Sequence, residues 1–238
     1  LEELRHDFDA VVVAAGAWKS SSMRIPGEEL NGVFGGIDFL REVSLGHAPV
    51  IGKTVAVIGG GNTAMDACRT AVRLGAEKVY VIYRRSMDEL PARAEEVENA
   101  QEELIEFKTL TNPVRILGDE DHNVCGIECV DMELGEPDES GRRSPKAVEG
   151  SNHVVDVDSV IIAIGTSPNP LIKTTTMGLE VDKRGCIVAD EDGKTSRAGV
   201  FAGGDTVTGA ATVIKAMGAG KKSAAAIDKY LSGADKAE

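Results

Sequence analysis

Residues 55–66, Val-Ala-Val-Ile-Gly-Gly-Gly-Asn-Thr-Ala-Met-Asp, decide the fold. Val55, Ala56, Val57 and Ile58 form a short continuous apolar run, the pattern of a central parallel strand covered on both faces. Gly59 and Gly61 follow at G-x-G spacing. The first permits a tight turn. The second has no Cβ, so a pyrophosphate can approach the backbone where a helix begins near Asn62. Ala64 stands in the third glycine position, which requires only a residue small enough for close packing of helix on strand. The segment reads as a nucleotide-phosphate site.

Working outward, Ala64, Ala67, Cys68, Ala71 and Leu74 recur at helical spacing, Gly75 is placed to end the helix, and a second apolar strand is expected from Val79 to Tyr83. A cofactor lacking a 2′-phosphate favours an acidic residue at the end of that strand, but the chain reads Tyr83-Arg84-Arg85-Ser86. Two guanidiniums suit a phosphate, so NADP(H) is preferred over NAD(H). The competing reading is a pair of solvated arginines at a strand end.

The chain has 238 residues, 42% of them hydrophobic, enough for one large or two modest domains. With 26 Lys and Arg against 39 Asp and Glu, the formal charge of −13 argues against nucleic acid and anionic membrane as partners. No apolar run is long enough to span a membrane, and no signal peptide is visible at the start, so the expected location is cytoplasmic. Cys68, Cys125, Cys129 and Cys186 contain no C-x-x-C pair, and His6, His47, His122 and His153 do not cluster with them. No metal site is expected. Cys125, Ile127 and Cys129 are read as alternating buried hydrophobes on one strand face.

In chain order, residues 11–15 form an apolar strand so close to residue 1 that the chain is expected to be a fragment. Residues 17–50 read as a connector with a short helix near 37–43. Residues 92–104 read as a helix with a solvated glutamate face and an inner stripe of Val97, Gln101 and Leu104. Strands are expected at 105–110, 114–117, 124–134 and 154–164, with a polar loop at 135–151. The small-residue endings at Ala14–Ala17 and Ala163–Thr166 suggest a domain left at the first and re-entered at the second. Beyond them come strands at 186–189 and 199–202, then a long helix from about 211 to 231. Its buried face is read as Val213, Met217, Gly220, Ala224, Ile227 and Leu231.

Six stretches together resemble the small (beta) subunit of NADPH-dependent glutamate synthase and its relatives among ferredoxin:NADP oxidoreductases. They are residues 58–66, 83–86, 90–93, 132–137, 163–166 and Gly-Val-Phe-Ala-Gly-Gly-Asp at 199–205, the last followed by Gly-Ala-Ala-Thr-Val at 209–213. The resemblance runs nearly end to end. It implies an α/β, flavin-disulfide-reductase-like fold in which a Rossmann-like NADP-binding domain (49–166) is inserted into a truncated FAD-binding domain. The parts of that second domain are 1–48, which includes the connector, and 167–238.

What the resemblance implies for cofactors is specific. Gly59, Gly61, Asn62 and Thr63 face the NADPH pyrophosphate and Arg84 and Arg85 the 2′-phosphate, with Gly165 and Thr166 also at the cofactor. Gly204 and Asp205 match the motif whose aspartate binds the flavin ribityl chain, and Ala211, Thr212 and Val213 lie by the flavin ring. A helix N-terminus there suits the negative charge of a reduced flavin. The implied activity is hydride transfer from NADPH to FAD, with electrons leaving through iron–sulfur clusters of an upstream region toward a large catalytic subunit or a ferredoxin-type partner. Direct hydride transfer between stacked rings needs no side-chain acid or base, so no catalytic residue is expected. A non-catalytic dinucleotide-binding or subunit-docking module stays open as the alternative. Because residues 55–66 hold the one complete phosphate fingerprint, this chain alone is expected to bind FAD weakly or not at all, and to self-associate.

Overall fold

A computed structural model describes residues 1–137 and 141–233. The chain divides into two compact units, one made of Leu1–Lys19 with the residues from Thr166 onward, the other of Ser20–Gly165. The second is nested within the first along the chain. The boundary expected at residue 49 lies earlier, because Val33–Gly35 adds a strand to the inserted unit's sheet and the following helix, Gly36–Ser44, puts Phe39 into its core.

The inserted unit is built on five parallel strands in the order Val33–Gly35, Ser159–Ile162, Thr54–Ile58, Lys78–Tyr83, Glu106–Thr109. The central strand, Thr54–Ile58, explains the architecture. Val55 and Val57 pack with Ala64, Ala67, Cys68 and Ala71 of the helix Asn62–Arg73, while Ala56 and Ile58 face the opposite way into Ile127, Cys129 and Val155. Successive side chains point to opposite faces, so a strand buried on both sides must be apolar throughout. Each fully buried valine contributes about 1.5–3 kcal/mol, and this strand is the inserted unit's hydrophobic centre. The second face is covered by an antiparallel meander of Thr111–Gly118, Val124–Pro137 and His153–Val155, with Arg143–Ala147 paired to the far end of Val124–Pro137. The layers are therefore helices, parallel sheet and antiparallel sheet.

Several expectations are corrected. The segment 135–151 is not a loop throughout, since Arg143–Ala147 closes a hairpin. The single strand expected at 154–164 is two. His153–Val155 belongs to the meander and Ser159–Ile162 to the parallel sheet, and at the crossing the Asp158 carboxylate accepts the N–H groups of Lys53 and Thr54 at 3.0 and 2.9 Å. Cys125 is exposed, because the register of its strand shifts between the Leu117–Gly126 and Gly118–Val124 pairs. That bulge throws the alternation out of phase, while Ile127 and Cys129 stay buried. In the helix Ala94–Glu102 the inner residues are Val97 and Ala100. Leu104 lies beyond the helix at a φ of +61° and is 86% exposed.

In the other unit, Val11–Val13 pairs in parallel with Val200–Ala202 over a small core of Val13, Leu179, Ile187, Val200 and Ala202. Residues 186–189 make only isolated bridges, Val181 to Ile187 and Ala189 to Thr195. The long helix spans Val213–Ser232, but its inner stripe is rotated from the one expected. Ser223 and Ala226 are buried, whereas Val213, Met217 and Leu231 are exposed. The cause is the partner. The helix lies on glycine turns, where Ala219 and Ser223 come within 3.3–3.4 Å of the space a Cβ on Gly203 would occupy. Small side chains permit that approach and large ones would not. Among the described residues no helix is long and apolar enough to cross a membrane.

Candidate functional site

The candidate site is a cavity of about 600 Å³ at the C-terminal ends of the central parallel strands, the position at which open α/β sheets bind ligands. Its floor is the turn Gly59–Gly61 with Thr63 of the following helix, and its side is Ile82–Arg85 at the end of the next strand. Ala163, Ile164 and Gly165 close it at the end of the third strand, while Met23, Ile25, Asn112 and Pro113 supply apolar and amide surface.

The turn fits an anion. Gly61 is the N-cap of the helix Asn62–Arg73, and no side chain caps that helix. The Ala64 and Met65 N–H groups donate to the Gly61 carbonyl at 2.9 and 3.2 Å, which leaves the Asn62 and Thr63 N–H groups at the open end of the helix, where its dipole adds positive potential. A Cβ built on Gly61 meets nothing within 4 Å. Open space over such donors at a helix N-terminus is the arrangement that receives an anion.

The arginines divide in role. Arg84 is exposed and, among the described residues, makes no hydrogen bond or ion pair, leaving its guanidinium available to an anion. Arg85 is 5% exposed and donates from Nε to the Arg143 carbonyl at 2.8 Å, so it supports the wall as well as charging it. Asn62 is placed differently from the expectation. It does not line the cavity; its Oδ1 accepts the Arg93 N–H at 3.0 Å and ties residue 93 to the helix start.

Arg142, in the stretch expected to be a polar loop, lines the same cavity. The available signal was a second Arg-Arg pair, residues 142–143, after a glycine. Arg143 Nε donates to Glu89 Oε1 at 2.5 Å. Glu89 also accepts from the Ser86 hydroxyl and, at 3.2 Å, from the Ser86 N–H. The Ser86 hydroxyl first and the Arg143 guanidinium second hold its carboxyl below the usual glutamate range.

The expected flavin residues lie in the other unit. Gly204 has a φ of +70°, and Asp205 Oδ1 accepts the Ala211 N–H at 3.2 Å. The Thr212 hydroxyl caps the long helix by accepting the Lys215 N–H at 3.4 Å. Ala211, Thr212 and Val213 are exposed, as is Ile214. Among the described residues no group of three or more His, Cys, Asp or Glu is placed to hold a metal ion.

Residues 2–220 match the pyridine nucleotide-disulphide oxidoreductase family. The chain belongs to that family. Relatives include the NADPH-Fe(3+) oxidoreductase subunit beta of Geobacter sulfurreducens, 43% identical, with 97% of this chain and 38% of that protein covered. The NADP(+)-dependent formate dehydrogenase subunit beta of Moorella thermoacetica is 44% identical over 97% of this chain and 33% of its own length. The glutamate synthase [NADPH] small chain of Escherichia coli K12 is 37% identical over 97% and 52%. The chain spans about half or less of the length of these relatives. Among solved structures, Mycobacterium tuberculosis FprA in complex with NADPH superposes with a TM-score of 0.82 at 20% identity, covering 99% of this chain and 66% of that one. Thioredoxin reductase from T. acidophilum gives 0.71 at 24%, covering 94% and 66%. The α/β, flavin-disulfide-reductase-like fold expected from the resemblance is the fold observed.

Proposed function

We propose that this chain is the NADPH-binding part of a flavin oxidoreductase, in which a hydride passes from NADPH to FAD and the electrons go on to a partner. The observation that carries the reading is one cavity joining an uncapped helix N-terminus at Gly61 to two arginines at the end of the adjacent strand. In this reading Gly59, Gly61 and Thr63 receive the pyrophosphate and Arg84 and Arg85 the 2′-phosphate. Gly165 lines the cavity and Thr166 is the next residue in the chain, and Asn62 acts at one remove by fixing the residue 93 backbone. The names of the relatives, each an NADPH- or NADP-dependent oxidoreductase subunit, support the same assignment.

The flavin, when bound, supplies the hydride acceptor; this chain's residues bind and orient. Asp205 keeps one carboxylate oxygen free of hydrogen bonds among the described residues, which suits ribityl hydroxyls, and Ala211–Val213 open the long helix with its positive dipole end. A large catalytic subunit, as in glutamate synthase, or a ferredoxin-type protein is the proposed partner.

The test is calorimetry with NADPH and NADH in parallel, followed by the spectrum of the flavin-loaded parent protein before and after NADPH. Tighter binding of NADPH and bleaching of the flavin band are expected. Equal dissociation constants overturn the cofactor assignment, and a colourless protein that only binds nucleotide is a binding module.

A further inference from the structure

Among the described residues Asn112 is the one side-chain amide that lines the cavity. It is half-buried, and its Nδ2 donates to the Pro113 carbonyl at 3.0 Å. Only the NH2 end of an amide can meet a carbonyl, so the orientation is fixed, and Oδ1 is left as an acceptor with no hydrogen bond among the described residues. Resting on the NADPH reading above, we propose that Asn112 is the base-reading residue of the site, its Oδ1 accepting from the 6-amino group of adenine.

The backbone puts Asn112 at the adenosine end of the cavity. Glu106–Thr109 leaves the parallel sheet and Thr111–Gly118 enters the meander with a single residue between them, Leu110, at a φ of +50°. The Leu110 N–H donates to the Arg85 carbonyl at 2.9 Å and its carbonyl accepts the Met132 N–H at 2.7 Å, so this corner is pinned to the end of the strand that offers Arg84 to the cavity. Asn112 follows two residues later. The base and the 2′-phosphate of NADP(H) are carried on one ribose, so a cavity side chain beside the strand end assigned to the 2′-phosphate meets the purine rather than the nicotinamide. Pro113 is buried, and the pairing with Val124–Pro137 slips between Pro113 and Arg115, a bulge directly after the Asn-Pro pair. Bulges and strand prolines occur where a ladder is interrupted to aim a side chain. The fixed amide then gives selectivity. Adenine offers a donor at position 6, which Oδ1 accepts. Hypoxanthine offers a carbonyl there, and turning the amide to meet it would set Oδ1 against the Pro113 carbonyl.

The experiment titrates NADP+, NAD+ and nicotinamide hypoxanthine dinucleotide phosphate, whose 6-substituent is a carbonyl, into wild-type and N112A proteins by calorimetry, with circular dichroism as the check on folding. The wild type should bind NADP+ on the order of tenfold more tightly than the hypoxanthine analogue. N112A should weaken NADP+ and NAD+ alike, about fivefold, because both carry adenine, and should leave the analogue within about twofold. N112L keeps the volume and serves where N112A does not fold, and the comparison of the two bases in wild type needs no variant. Equal wild-type constants for NADP+ and NAD+ overturn the 2′-phosphate reading and leave the two bases to decide Asn112. Equal wild-type constants for NADP+ and the analogue, or a base preference of undiminished size in a folded variant, overturn the assignment of Asn112 alone.

Discussion

Gly59 has a φ of +133°, and a Cβ built on it would fall onto the Ala163 carbonyl, 2.9 Å from its carbon. Gly61, two residues on, has a φ of −90° and open space where a Cβ would stand. The two glycines of one fingerprint therefore differ in what constrains them: Gly59 has no room for a Cβ within the protein, whereas at Gly61 the space is open and is the space the proposed pyrophosphate would take. Gly59→Ala is expected to cost about 3 kcal/mol through left-handed strain and overpacking, a fall in Tm of roughly 6–12 °C. Gly61→Val should keep the wild-type melting curve and lose NADPH binding. Thermal melts beside calorimetry check both; undiminished NADPH affinity in folded Gly61→Val would place the phosphates elsewhere.

Arg84 and Arg85 are expected to separate in the same way. Arg84→Ala removes an exposed cation that has no partner among the described residues, so NADPH selectivity over NADH should drop on the order of tenfold with stability unchanged. Arg85→Ala also removes a buried donor to the Arg143 carbonyl, and leaving that acceptor unmet costs about 1–3 kcal/mol. It should lower both selectivity and Tm. Equal losses of stability in the two variants would contradict this division.

The parallel sheet was legible in the sequence because its central strands are buried on both faces, so residues 55–58 and 79–83 are apolar without interruption. The glycine turn and Arg84 could be placed because they sit at the ends of those strands. Arg142 could not. Its neighbour strand reads Arg-Ser-Pro-Lys-Ala, with no apolar alternation, and is specified by pairing with Met132–Pro137 rather than by its own pattern. The long helix failed for a related reason. An apolar heptad suggested Val213 and Met217 as its inner face, but a helix lying on glycine turns buries Ser223 and Ala226, whose small size matters more than their hydrophobicity. Cys125 was misplaced by a single-residue bulge, which no local periodicity announces.

That bulge is itself testable. Cys125 is exposed, while burial pushes the Cys68 and Cys129 thiols up to about 12 and raises that of Cys186. The thiolate is the reactive species, so iodoacetamide at pH 8 should label Cys125 in the folded protein and spare the other three, with all four labelled in denaturant. Peptide mass mapping reads the result. Labelling of Cys129 ahead of Cys125 would put the strand in the opposite phase.

Acid should loosen the packing between two helices of the inserted unit before it disturbs the parallel sheet. Glu103, just past the end of Ala94–Glu102, is held below the ordinary glutamate range chiefly by the Arg73 guanidinium and next by Arg69, at 2.8 and 2.9 Å, and both arginines lie on Asn62–Arg73. A carboxyl whose folded pKa is depressed binds fewer protons folded than unfolded. Its contribution is therefore complete above the unfolded value, about pH 4.3, and is lost as pH falls through the lower folded value. Glu103→Gln removes the titrating group and keeps the shape. The variant should melt below wild type at pH 7, with the gap closing toward pH 3 as wild type loses the same interaction. Melting curves across that range decide it. A gap that stays constant with pH would mean that the Arg69–Glu103–Arg73 contacts add nothing electrostatic to the docking of the two helices.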